Sequence, residues 1–466
     1  MSGGYIPTIG LEIHAELKTA SKMFCASRND PEAPPNTHVC PVCTGHPGTL
    51  PVVNREAVRQ VLRVGTALSG TIADYTEFDR KNYFYPDLPK GYQISQYEYP
   101  LVTGGSLAGV AITRIHLEED TATSRHDDAR SVIDFNRAGV PLMELVTEPV
   151  IHDAVTASRF AKELQLLLRT LGAGDANMEK GQMRVEANIS VSRDGTLGTK
   201  TEVKNLNSFR SVERAIEYEI KRQIETLESG GVLVQETRGF DENKGVTFSQ
   251  RLKESSHDYR YFPDPDIPKI QISRIRDFSS DTLRASLPEL PEDRRARYTD
   301  LGLKTQDVEL LVADSEFQAF FDAEVAILSK ELILAATNYL LTDLRGYVLG
   351  GGDLSPFGSG RLAEVIQMTV AGDLSSRGAK DLITALTSSD ERPTQLAAIL
   401  GLVQNSDKDF LSRIAEKVLQ DNPKVVEEIR SGKRDAIKYL IGVCMKESKG
   451  RANPSAISAV LEEKLG

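Results

Sequence analysis

Long apolar runs are missing from this 466-residue chain. No stretch approaches the ~18 residues that a membrane span needs, so no transmembrane segment and no membrane partner are expected. Cysteine is scarce as well. Four cysteines in a chain of this length make no disulfide framework, and a reducing cytosol fits them best. The N-terminal MSGGYIPTIG carries no basic region followed by an apolar one and no Arg-rich amphipathic stretch, so a cytoplasmic location is expected. Basic charge is in deficit: at net −11 the chain lacks the balance of a general nucleic-acid binder, and no DNA partner is expected. Only residues 411–466 lean the other way, with eleven Lys/Arg against eight Asp/Glu, a charge that can meet phosphate. Neither a G-x-x-x-x-G-K-[ST] loop nor a G-x-G-x-x-G after a strand occurs, so any ATP is held without a standard phosphate loop. The serine-rich signature of an amidase is absent too.

What is present is ample for real cores: 40% of residues are apolar, and the length implies two or three domains. The first ~290 residues favour short alternating runs with Gly and Pro between them. In IGLEIHAEL, Ile9, Leu11, Ile13, Ala15 and Leu17 share one face, and Glu12, His14 and Glu16 share the other. MRVEANISVS repeats the pattern, with Arg184, Glu186 and Asn188 facing away from Met183, Val185, Ala187, Ile189 and Val191. GTKTEVKN puts Lys200, Glu202 and Lys204 on a polar face, and Asp194-Gly195 before it is a hairpin signal. The period then becomes helical. Phe209, Val212, Ile216, Ile220, Ile224 and Leu227 define a helix that Ser208 caps and Gly230 ends, and a second helix is expected over roughly 152–171. The fold class read from this is α+β: an antiparallel sheet with helices on one face and charge on the other, over residues 1–290. After PELP at 288–291 the chain turns almost wholly helical, giving a helical domain at 291–403 and a tail unit at 404–466; GGGDLSPFGSG at 350–360 reads as a flexible turn or linker.

The chemistry concentrates on the charged faces. Glu12 and His14, two apart on a strand, point the same way about 7 Å apart and can converge on one cation. Carboxylates with phosphates nearby suit Mg²⁺ better than Zn²⁺. The strand ITRIHLEED ends in Glu118, Glu119 and Asp120; alternation puts Glu119 on the side of Ile115 and Leu117, and Glu118 and Asp120 on that of His116. Of the three, Glu119 is the expected metal ligand, provided the apolar side opens into a cleft at this end. Cys40-Pro41-Val42-Cys43 is a C-x-x-C knuckle preceded by Cys25, and with His38 or His46 it has the makings of a zinc site. Cys444 is expected to be a core residue. The Tyr-, Lys- and Pro-rich DRKNYFYPDLPKGYQISQYEYP and HDYRYFPDPDIP are loops whose aromatic and basic side chains can stack and pair with a nucleotide end, or simply pack.

Taken together, GLEIHAEL, CPVCTGHPGTLPVVN, DRKNYFYPDLPKGYQISQ, IHLEED, DFNRAGVPLMELV, MRVEANISV, EVKNLNSFR and HDYRYFPDPD resemble, in order and over residues 10–266, the motif series of the B subunits of bacterial tRNA-dependent amidotransferases (the GatB/GatE family, GatB type). MKESKGRANPSAI resembles that family's C-terminal YqeY-like domain. The resemblance implies a cradle-like catalytic domain, a helical domain and a small tail. It also implies an activity. Misacylated Glu-tRNA(Gln) or Asp-tRNA(Asn) is bound, and its side-chain carboxylate is phosphorylated with ATP and Mg²⁺. Ammonia channelled from a glutamine-hydrolysing amidase partner then displaces the phosphate, and a small third partner ties the heterotrimer together. By the same resemblance Glu12, His14, Glu118, Glu119 and Glu254 are expected metal ligands, Glu119 is also expected to be catalytic, and Lys81 and Lys90 do catalytic work by gating or steering near where the ammonia path opens. Asn136, Arg137, Lys204 and Asn205 are expected to contact nucleotide or acyl acceptor. Lys433, Arg434, Lys449 and Arg451 in the tail are expected to contact tRNA. Where relatives with the full zinc motif carry C-x-C, this chain reads Cys25-Ala26-Ser27, so zinc at Cys25, Cys40 and Cys43 is expected to be absent or weakly held. The alternative from another class is a non-catalytic tRNA-binding scaffold in which the acidic cluster has decayed.

Overall fold

The computed structural model describes residues 4–126, 130–252, 259–358, 360–448 and 450–465. It divides into two compact units, Met1–Pro291 and Glu292–Gly466.

The first unit is built on a large sheet whose central strand is Ile6–Glu16. From Ile9 to Glu16 it alternates strictly, so one face is apolar and fully covered while the other carries Glu12, His14 and Glu16. Met183–Ser192 pairs antiparallel on one side, placing Glu12 opposite Glu186 and His14 opposite Arg184. Pro141–Thr147 pairs on the other, placing His14 opposite Glu144. Val110–Glu119 follows, with His116 opposite Glu144. The helices Ala154–Thr170 and Phe209–Glu228 pack on each other and cover the apolar face; the side chains of Asp153 and Ser208 cap them, each accepting a backbone N–H of the first turn. The helix Arg55–Ala67 packs against Val110–Glu119 farther along the same core.

Two local expectations give way. Asp194-Gly195 makes no two-residue hairpin: Ser192 and Thr201 are joined by residues 193–200, in which Asp194 accepts from Thr196 N at 3.1 Å and Gly195 takes φ +77°. The sheet is also not wholly antiparallel. Thr201–Leu206 runs parallel to Glu236–Asp241, because the helix Phe209–Glu228 carries the chain back before the second strand starts.

The second unit is helical from Pro291–Asp300 to Pro454–Leu465. Residues 350–358 of the expected linker are anchored within it rather than free, since Phe357 is fully buried and meets Tyr347 edge to face. Toward the end of the chain Leu411, Ala415, Val418, Leu440, Cys444 and Leu461 share a small core of their own, and Cys444 is fully buried there. No helix among the described residues is long and apolar enough to cross a membrane.

Candidate active site

The polar face of the sheet gathers acids that lie far apart in sequence. Ligand atoms of Glu12, His14 and Glu144 lie within 4.8 Å of one another, as do those of His116, Glu118 and Glu144, and those of Glu12, Glu186 and Glu202. The three groups overlap through Glu12 and Glu144, so they form one continuous patch. His14 Nε2 stands 3.4 Å from Glu118 and 3.3 Å from Glu144, and His116 Nε2 stands 3.4 Å from the same Glu144 oxygen. Ser95 Oγ donates to Glu118 at 3.1 Å, and Lys204 Nζ sits 2.6 Å from Glu186. Thr237 Oγ1 donates to Glu202 at 2.8 Å.

Electrostatics mark this patch as short of positive charge. Burial, then the Glu144 and Glu186 carboxylates, push Glu12 up to about 7. Burial by itself would lower His14, but hydrogen bonds and charge from Glu118 and Glu144 outweigh it and hold the imidazole well above its usual range. Burial would raise Glu144; His116 and His14 pull it well below the usual carboxylate range. Lys204 is raised because Glu186 and Glu202 overcome its burial. The Nδ1 atoms of His14 and His116 are buried and have no partner. Carboxylate oxygens gathered on one buried face, with Glu12 disfavoured as an anion by its acidic neighbours, fit a hard divalent cation such as Mg²⁺. Glu12, Glu118, Glu144, Glu186 and Glu202 are the residues that would hold it.

The three consecutive acids separate. Glu118 joins the patch. Glu119, the acid expected to hold the metal, points to the opposite side, where its carboxylate accepts from Ile94 N at 3.0 Å and pairs with Lys90. Asp120 is buried in a bidentate pair with Arg184, at 2.9 and 3.1 Å. Lys81 stands 5.0 Å from the Tyr259 ring centre and 5.9 Å from that of Tyr83; burial would lower it, but Glu118 and the nearby tyrosines hold it well above its usual range. Lys204 lies on the patch, and Asn205 beside it is exposed with φ +60°. Asn136 and Arg137 serve the loops: the Asn136 side chain donates to the carbonyls of Ala33 and Pro34 and accepts from His38 N, and Arg137 donates to the carbonyls of Thr121 and Ala122. Glu254 lies outside the described residues.

Glu144, Glu186, Glu202 and His116 were not picked out as ligands in the sequence. Glu144 sits within PLMELV, where its strand is covered on both faces and the alternation that exposes Glu12 and His14 has vanished. Its signal is that of a lone acid in an apolar run.

A second cluster lies on the Glu119 side. The Sγ atoms of Cys25, Cys40 and Cys43 come within 4.8 Å of one another, and no histidine or carboxylate atom joins them among the described residues. The His38 backbone N–H donates to Asn136 and its buried Nδ1 has no hydrogen-bond partner, while His46 lines the neighbouring cavity. The remaining side holds the Ser27 hydroxyl, 3.9 Å from Cys43 Sγ, and the Lys22 ammonium, 3.7 Å from it. Three thiols facing a buried ammonium do not fit zinc, which wants four donors and no cation among them. The hydrogen bond from Cys25, helped by the Cys40 amide and Lys22, pushes the Cys43 thiol down.

In the tail, Lys433 and Arg434 are exposed, with Lys433 3.4 Å from Glu428. Arg451 is also exposed and borders a hollow of about 300 Å³ with Phe410, Arg413, Lys417 and Glu447. Lys449 lies outside the described residues.

Residues 7–276 match the family model of the GatB/GatE catalytic domain, and residues 321–465 match that of the GatB domain. The chain is similar to the B subunit of the aspartyl/glutamyl-tRNA(Asn/Gln) amidotransferase of Persephonella marina, at 42% identity over 98% of this chain and 99% of the relative. It is also similar to the proteins of that name from Gloeothece citriformis, at 40% identity over 99% and 98%, and Anaeromyxobacter dehalogenans, at 42% over 98% of each chain.

Proposed function

Because this chain belongs to the GatB/GatE family of tRNA-dependent amidotransferase B subunits, we propose that it activates the side-chain carboxylate of Glu-tRNA(Gln) or Asp-tRNA(Asn) by ATP-dependent phosphorylation and completes its amidation. The observation that carries this is the patch joining Glu12, His14, Glu118, Glu144, Glu186 and Glu202. A carboxylate attacking a γ-phosphoryl group is one anion meeting another, so the reaction needs cations placed beforehand. Mg²⁺, when bound, supplies charge neutralisation at the phosphates. The carboxylates would hold and orient it, while His14 fixes Glu118 and Glu144 relative to one another and Lys204 balances Glu186 and Glu202. Lys81, held charged among tyrosines, adds positive potential on the same face.

On the other side, the Lys90–Glu119 pair lines a cavity of about 230 Å³ with Cys25, Cys43, His46 and Gly139. Ammonia from the amidase partner reaches the activated carboxyl past this pair, which steers it by hydrogen bonding; the small third partner holds the assembly together. The exposed basic residues of the tail hold tRNA.

The test is Glu118→Gln and Glu144→Gln in the reconstituted heterotrimer. ATP-dependent amide formation on misacylated tRNA is expected to fall by about 100-fold or more, with glutamine hydrolysis by the partner unchanged. Retained amide formation in both variants overturns the reading and favours the scaffold.

A further inference from the structure

The thiol cluster has no part in that chemistry, and its geometry gives it another use. Lys22 is fully buried, and its ammonium divides its contacts between the Phe135 carbonyl, at 3.0 Å, and Cys43 Sγ, at 3.7 Å. The Cys40 N–H also points at Cys43 Sγ, at 3.2 Å. One sulfur therefore meets both the ammonium and the amide N–H, and the Cys25 sulfur lies within 4.8 Å of it. Both sulfurs line the cavity of about 230 Å³ that Lys90 and Glu119 also line, so a small oxidant has a space to occupy beside them. Cys444, fully buried in another core, has none of these features.

We propose that Cys43 and Cys25 form a reversible oxidation site, closed to a disulfide by a hydroperoxide. Cys43 sulfur attacks the peroxide; an S–O bond forms, the O–O bond breaks, and the departing oxygen leaves as water (or alcohol) with the thiol proton. The Cys25 sulfur then displaces the hydroxyl of the Cys43 sulfenic acid, forming the S–S bond and releasing a second water. Two electrons pass from the sulfurs to the peroxide, and a dithiol reductant returns them. Cys43 is the attacking sulfur in the first step because Lys22 and the Cys40 amide stabilise negative charge on it.

Closing the bond draws the sulfurs to about 2.05 Å, well inside hydrogen-bonding distance, so the knuckle must shift. The knuckle is also what Lys90 rests on. Gly45, at φ +70°, lies so close that a side-chain carbon there would come within 2.6 Å of Lys90 Cγ. A side-chain carbon at Gly139 would lie 3.4 Å from Cys43 Cβ and 3.9 Å from Glu119 Oε2. Oxidation at the thiols is thus transmitted to the Lys90–Glu119 pair.

The test uses the full chain, purified without chelator and reduced, then exposed to graded hydrogen peroxide and read by differential alkylation and non-reducing peptide mapping. A Cys25–Cys43 cross-link is expected, reversed by dithiothreitol, with Cys43 oxidised at least about 10-fold faster than Cys444. In Cys25→Ser, which cannot close the bond, a Cys43 sulfenic acid is expected to be trapped by dimedone. Equal oxidation rates at the four cysteines, a Cys40–Cys43 bridge instead, or stoichiometric zinc that blocks oxidation would each overturn the proposal.

Discussion

Glu12 and Glu16 share one strand face, and both are held above the ordinary range. Burial leads in each case, with Glu144 and Glu186 adding to it at Glu12, up to about 7, and Asp120 at Glu16, up to about 8. Each carboxyl holds its proton more tightly in the folded chain than in the unfolded one, where the value is 4.5. The native state therefore binds more protons between these values, and stability falls as pH rises from about 4.5 toward 7 and 8. Thermal midpoints measured in EDTA are expected to drop across this window. Mg²⁺ is expected to raise the midpoint more at pH 8 than at pH 5, because Glu12 would bind it in the ionised form. Equal Mg²⁺ shifts at both pH values would count against the patch as a cation site. At this scale the sequence exposed Glu12 and His14, whose neighbours alternate cleanly. Alternation also set Glu118 on the side of His116, where the structure has it; the choice of Glu119 as the ligand departs, because its side meets Lys90 and the Ile94 amide rather than the other acids.

Strands and helices were the most legible elements, because the alternation of Ile6–Glu16 and the helical spacing of Phe209–Glu228 are local properties. The connections were less so. The Asp194-Gly195 pair is a turn signal, yet the loop around it runs over residues 193–200, and nothing local announces that the strand after the helix will pair in parallel. The start of Arg55–Ala67 illustrates an element tied to distant chain. Asn54 accepts from Glu56 N and Ala57 N, while its Nδ2 donates to the carbonyls of Ser21 and Lys22. Asn54→Ala removes a helix cap and an anchor for the loop leading to the thiols. It is expected to cost about 1–2 kcal/mol in denaturant unfolding; a change below a few tenths would show that the cap carries no weight.

Across the whole molecule, residues 411–466 carry a net positive charge and the rest of the chain a net negative one. The tail has its own small core and is fastened within its unit, where Asn453 Nδ2 donates to the Gly372 carbonyl at 2.8 Å. Deleting residues from about 404 is expected to weaken tRNA binding several-fold, to lower its salt dependence, and to spare glutamine hydrolysis by the partner. Unchanged affinity and salt slope, measured by filter binding, would remove the tail from tRNA recognition.

Composition, periodicity and the order of the motifs by themselves determined the α+β class, the helical second half and the membership of a family, since each is written in neighbouring residues. Only the tertiary structure decided which acids meet. Glu144 reaches His14 and His116, Asp120 spends itself on Arg184, and Glu119 turns to Lys90. The physical reason is that a metal or phosphate site is assembled across strands, by register and burial, from residues with no sequence relation to one another.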